Sequence, residues 1–200
     1  IGVRLVGSEM CIRDRYNDFE WHWYHFTGVD YDASRNKNGI YMIRGENKGW
    51  ANDNLVDDEN GNYDYLMYDD IDFKHPEVRQ NIYQWADWFI KTTGVRGFRM
   101  DAVKHIDSRF MTDFIRYLMD TYGNDFYVFG EFWKADETSN ENYLEHTDFE
   151  FDLVDVRLHQ NLFDASNAYE NYDLRQIFKD TTPKHTQPVS YTHLRAHETD

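Results

Sequence analysis

Apolar residues recur at helical spacing in two stretches of this chain, with short strand-like runs between and after them. Pro76 and Glu77 are residues suited to a first helical turn. Behind them Val78, Ile82, Ala86, Phe89 and Ile90 fall on one face, and Gly94 supplies a C-terminal stop. A second amphipathic helix is predicted from about Ser108 to Tyr122, with Phe110, Phe114, Ile115 and Leu118 inward and Gly123 behind it. Residues 94–105 between the two helices read as a short strand, apolar at Val95, Phe98, Met100, Ala102 and Val103. Residues 125–133 read as the next strand, apolar until Glu131, and residues 151–158 as a third. A short helix is expected at 172–180. Helix and strand alternating through short links is the signature of a parallel α/β sheet.

The pattern upstream is weaker. Residues 16–70 read as loop-rich and aromatic, with Trp21, Trp23, Tyr24 and Phe26 close together. His22 and His25 sit among them three apart. They could pair on a metal, but imidazoles packed among aromatics are more often plain structure. Asn60-Gly61-Asn62 is a turn signal, and residues 63–68 alternate like a strand. Residues 1–15 and 189–200 show neither periodicity nor a targeting pattern and resemble translated adapter sequence, so both are set aside as foreign. The pair His193 and His197 has the spacing of a zinc helix but lacks its glutamate. An internal fragment of about residues 16–188 is the expectation that remains.

Charge changes the picture at the strands. Residues two apart on a strand share a face, so Arg99 and Asp101 should project together. An unpaired buried charge is very costly, whereas a guanidinium beside a carboxylate keeps it ionised and fixed. Two successive strands then deliver a carboxylate at their C-terminal ends, Asp101 and Glu131. Different surroundings should push their pKa values apart, which suits one as nucleophile and the other as acid. A structural ion pair is the plainer alternative for Arg99 and Asp101 alone.

Asp70 and Asp72 have the first two spacings of an EF-hand loop, but Lys74 stands at the third position and no glycine follows. A calcium site assembled from separate segments, with Asp64 near, competes here with solvated loop acids. The formal net charge of −16 argues against nucleic acid as a partner. There is no run of about twenty apolar residues to span a membrane. Cys11 is the only cysteine, so there is no disulfide framework.

Several of these stretches belong together. Gly97-Phe98-Arg99-Met100-Asp101-Ala102-Val103-Lys104-His105 resembles the strand-four motif of the α-amylase family of glycoside hydrolases, and Gly130-Glu131-Phe132-Trp133 its strand-five motif. Trp21-His22-Trp23-Tyr24-His25-Phe26 and residues 60–76 resemble the inserted domain B of its bacterial liquefying-type members.

The resemblance implies an α/β fold: part of a (β/α)8 TIM barrel, about strands four to six, with part of domain B. Residues 16–72 would be domain B and 73–188 the central barrel. It implies Asp101 as nucleophile and Glu131 as general acid/base, with Arg99, Lys104, His105 and Trp133 binding substrate. It also implies calcium (Ca2+), held by Asp30, Asp53, Asp64, Asp70, Asp72 and the backbone carbonyl of His105, although Lys74 departs from the pattern. The implied activity is retaining, endo-acting hydrolysis of α-1,4-glucan in starch or glycogen by a monomeric parent. An α-glucosidase, a transglycosylase or a non-catalytic glucan-binding relative are the alternatives. The family's early-strand motif with Asn and His and its strand-seven motif with a third Asp do not occur in the sequence.

Overall fold

The structure, a computed structural model, describes residues 18–50, 68–148, 150 and 152–181. The turn at 60–62, the strand expected at 63–68 save its last residue, Asp53, Asp64, Cys11 and both end segments lie outside the described residues.

Two three-stranded sheets fall on either side of Asp72. The first is antiparallel: β1 (Phe26–Asp32), β2 (Lys37–Met42) and β3 (Asp69–Ile71) in the order β2-β1-β3. This hairpin corrects the loop-rich reading of residues 16–70. Its strands carry Gly28, Gly39 and several polar residues, so they lack clean alternation, and β1 is bulged between Val29 and Tyr31. The turn sets the pairing. The Asp32 carboxylate accepts from the backbone N–H of Ser34 at 2.9 Å and of Arg35 at 3.2 Å, and Asn36 takes a left-handed φ of 50°.

The second sheet is parallel and follows the chain. After α1 (Pro76–Thr93) come β4 (Gly97–Met100), α2 (Ser108–Tyr122), β5 (Tyr127–Gly130), α3 (Glu137–His146), β6 (Asp152–Leu153) and α4 (Val156–Ala168). The order is β4-β5-β6, with Met100 opposite Gly130 and Gly130 opposite Leu153. Three successive β-α units on one parallel sheet form an open wedge of an α/β barrel.

Both predicted helices form where the pattern puts them. Pro76 opens α1, and Gly94 closes it in the left-handed region at φ 73°, its N–H donating to the Ile90 carbonyl at 2.8 Å. Asp107 caps α2 by accepting from the N–H groups of Arg109 and Phe110. The third expected strand shrinks to two residues, because Asp155 caps α4 and turns the apolar run after it into helix. The helix expected at 172–180 is a single 3-10 turn, Leu174–Gln176, capped by Asp173.

The core lies between the parallel sheet and α1, α2 and α3. Ala86, Val103, Ile115 and Leu118 are wholly buried, with Phe126, Phe114, Phe110 and Met111 around them. Burial of each large side chain contributes about 1.5–3 kcal/mol. Phe73 packs tilted against Phe110 at 4.6 Å between ring centres and so ties the end of the first sheet to α2. Asp87 on α1 accepts from the hydroxyls of Tyr117 at 2.8 Å and Tyr122 at 2.6 Å, joining the two helices. Among the described residues β4 and β6 remain edge strands. Leu162, Phe163, Leu174 and Phe178 are more than half exposed along α4 and the turn after it. No helix among the described residues is long and apolar enough to cross a membrane.

Candidate active site at the strand ends

Gly97 lets β5 come close to β4: a β-carbon there would lie 2.3 Å from the Tyr127 carbonyl oxygen. That approach holds the C-terminal ends of the two strands in register. The Glu131 N–H donates to the Met100 carbonyl at 2.8 Å, and the Val103 N–H donates to the Glu131 carbonyl at 3.1 Å. Between them Ala102 has φ 50°, a left-handed conformation that costs a non-glycine residue about 1–2 kcal/mol. The crossed backbone bonds enforce it, and the Ala102 N–H points at the Glu131 carboxyl, 3.4 Å from Oε2. Strand β4 therefore turns sharply just after Asp101, which leaves Asp101 at the rim beside Glu131.

One guanidinium serves both acids. Arg99 Nη1 donates to Asp101 Oδ1 at 2.7 Å, and Arg99 Nη2 lies 3.0 Å from Glu131 Oε1. Arg99, foremost, and then a hydrogen bond with Glu131 hold the Asp101 carboxyl below the usual carboxylate range. Arg99 is itself pushed further up by the same contacts. The guanidinium favours leaving Asp101 as the anion. Asp101 is 44 % exposed and Glu131 22 %, so a ligand can reach both.

The other predicted ligand contacts divide. Lys104 reaches across to the Trp133 carbonyl at 3.2 Å. Trp133 is half exposed, its ring against that of His159 at 5.2 Å. Phe132, next to it, is turned inward onto Tyr143. His105 lies in a 3-10 turn under the rim and is 4 % exposed.

The expected calcium carboxylates among the described residues each have protein partners of their own. The Asp30 carboxylate accepts from the Tyr68 N–H at 3.0 Å. Asp70 is buried against the hydroxyl of Thr27. Asp72 is buried too, but its Oδ2 lies 2.7 Å from the Lys48 ammonium and its Oδ1 accepts from the Lys74 N–H at 3.1 Å. Asp53 and Asp64 lie outside the described residues.

A donor set that the sequence reading missed is His25, His75 and Glu77, whose ligand atoms lie within 4.8 Å of one another. His25 is wholly buried. Its Nδ1 accepts from the His22 N–H at 3.0 Å, so its proton sits on Nε2, 3.0 Å from Glu77 Oε2. Burial, foremost, holds the His25 pKa down. These bonds use both ring nitrogens of His25, and the arrangement is a neutral histidine tying the first sheet to the start of α1. Lys48 and His159 were also missed.

Consecutive β-α units with two carboxylates converging at neighbouring strand ends define an α/β barrel-type catalytic domain. The family described as "Alpha amylase, catalytic domain" matches residues 11–199, and the chain belongs to that family. The glucan 1,4-alpha-maltohexaosidase of Bacillus sp. (strain 707) is 45% identical over 92% of this chain and 35% of its own length. The alpha-amylases of Bacillus licheniformis and Geobacillus stearothermophilus are each 40% identical over 92% of this chain. The chain thus spans about a third of the length of these relatives. A solved Anoxybacillus alpha-amylase overlaps at a TM-score of 0.46 with 26% identity, covering 56% of this chain and 25% of that one, too small an overlap to add to the argument.

Proposed function

We propose that the full-length protein carrying this segment is a retaining, endo-acting hydrolase of α-1,4-glucan. Asp101 attacks the anomeric carbon while Glu131 protonates the glycosidic oxygen. Glu131 then takes a proton from the water that releases the sugar. The observation that supports this most directly is Arg99 bridging Asp101 and Glu131 at adjacent strand ends. One guanidinium reaching both acids supports the short spacing of a retaining pair, about 5–5.5 Å, over the about 6.5–9.5 Å of an inverting pair with a water between its carboxyls. Arg99 keeps the nucleophile ionised, and Trp133 with Lys104 offers a ring face and a donor to a sugar at the rim.

Calcium belongs to the same reading. Asp70 is a buried carboxylate, an oxygen donor of the kind calcium takes. With Asp53, Asp64 and the His105 carbonyl it is proposed to hold a structural ion, without a part in the chemical steps. Chelation should then lower the melting temperature of the full-length protein, because the ion binds only the folded form.

The test is product stereochemistry. The full-length protein acting on a maltooligosaccharide should release α-anomers first, as followed by proton NMR. Initial β-anomers would overturn the retaining assignment, and no cleavage at all would overturn the hydrolase.

A further inference from the structure

We propose that the Lys48 ammonium stands at Asp72 in place of a metal ion, so that Asp72 is not a calcium ligand and the protein's own cation holds this corner together. Both partners are nearly sealed from water: the Lys48 side chain is 7 % exposed and that of Asp72 5 %. Lys48 Nζ lies 2.7 Å from Asp72 Oδ2 and also donates to the Tyr24 carbonyl. The other Asp72 oxygen accepts from the Lys74 N–H, and the Asp72 N–H donates to the His25 carbonyl at 2.9 Å. Every polar atom of Asp72 outside its own carbonyl is thereby engaged. Calcium gathers six to eight oxygens at 2.3–2.6 Å. An ammonium this close to Oδ2 fills the space a cation would take and repels a dication.

The contacts also do what a structural ion does. Lys48 draws together three separate segments: the Trp23–His25 turn, the turn before Gly49, and the link from β3 to α1. Lys74 reaches back the other way, its Nζ donating to the Gly49 carbonyl at 3.0 Å. The two lysines thus clasp the same pair of segments from opposite sides. A buried carboxylate needs a cation, and here a side chain supplies it, without dependence on the metal in solution.

Two measurements on the full-length protein decide it. The first is calcium stoichiometry, read by isothermal titration after chelation, for the unmodified protein and Asp72→Asn. The same number of bound ions in both is expected, and one fewer in Asp72→Asn would overturn the proposal. The second is thermal melting in excess chelator. Lys48→Met, which keeps the length and removes the charge, should lower the melting temperature by at least about 5 °C. Adding Asp72→Asn to it should recover part of that loss, because no buried charge is then left alone. An unchanged melting temperature in Lys48→Met would also overturn it. If Lys48→Met does not fold, the stoichiometry of Asp72→Asn still gives the answer.

Discussion

At the N-terminal ends of β4 and β5, Arg96 pairs with Asp125 across the two segments. At the C-terminal ends, Arg99 pairs with Asp101 and Glu131. The residue types are the same and the settings are not. Arg96 and Asp125 are each about 70 % exposed, one charge against one, in water. The upper cluster sets a single arginine against two carboxyls, with the left-handed Ala102 behind them and Glu131 largely covered. Charge left over in a partly dry place is what chemistry can use, whereas balanced charge in water is neither strained nor reactive. In barrel folds the C-terminal strand ends carry the reaction and the N-terminal ends stability.

The largest effects are expected at the upper end. In the full-length protein Asp101→Asn should lower kcat by about ten-thousandfold or more, since the covalent step is lost. Glu131→Gln should cost about a hundred- to ten-thousandfold, and less for substrates whose leaving group needs no proton. Assays with maltooligosaccharides and with an activated aryl glycoside separate the two. Equal losses for both substrates in Glu131→Gln would break the assignment of Glu131 as acid.

Arg99→Met tests the field rather than the reaction. Arg99 is the main cause of the low Asp101 pKa. Asp101 must be ionised to attack, so the acid limb of the pH–activity profile should move to higher pH once the guanidinium is gone. The sign for stability agrees: a carboxyl whose folded pKa is depressed adds stability above its unfolded pKa and loses it as pH falls through the folded one. Arg99→Met should therefore reduce the extra acid sensitivity of folding that Asp101 confers. An acid limb that stays in place would show that Arg99 does not set the ionisation.

The upper end was legible in the sequence for a physical reason. Two charged residues two apart in an apolar strand must share a face and must be paired, and a second strand ending in Glu131 repeats the device. The helices were legible because α1 and α2 pair a strong apolar face with residues that end helices. What was not legible depends on contacts far apart in sequence. β1 and β2 have no clean alternation, and their hairpin is set by the Asp32 turn and the bulge. Lys48 meets Asp72 across 24 residues, and nothing in a lysine's neighbours announces that it will be buried. The burial of His105 likewise follows from the 3-10 turn it sits in, which its neighbours in sequence do not announce.

Gly97→Ala links the two ends and should have an intermediate effect. Its β-carbon would press on the Tyr127 carbonyl at the lower end of the sheet. Relief requires β5 to move away from β4, at about 1–3 kcal/mol of stability. The same shift would loosen the bonds from Glu131 to Met100 and Val103 that place the acid. Activity should fall at temperatures where the variant is still folded by circular dichroism. A variant that loses stability but keeps full activity would separate strand register from the site.

The smallest effect is expected where the comparison began. Arg96→Ala removes the lower pair and leaves Asp125 in water, with nothing buried unpaired. Exposed pairs of this kind contribute about 0–1 kcal/mol, and salt screens them further. The variant should melt within about 2 °C of the unmodified protein, and the difference should vanish in strong salt. Its pH–activity profile should not move, because Arg96 lies at the far end of the strand from Asp101, whose low pKa is chiefly the work of Arg99. A displaced acid limb in Arg96→Ala would mean that the two ends are electrostatically coupled through the sheet, and the division between a reactive end and a structural one would fail.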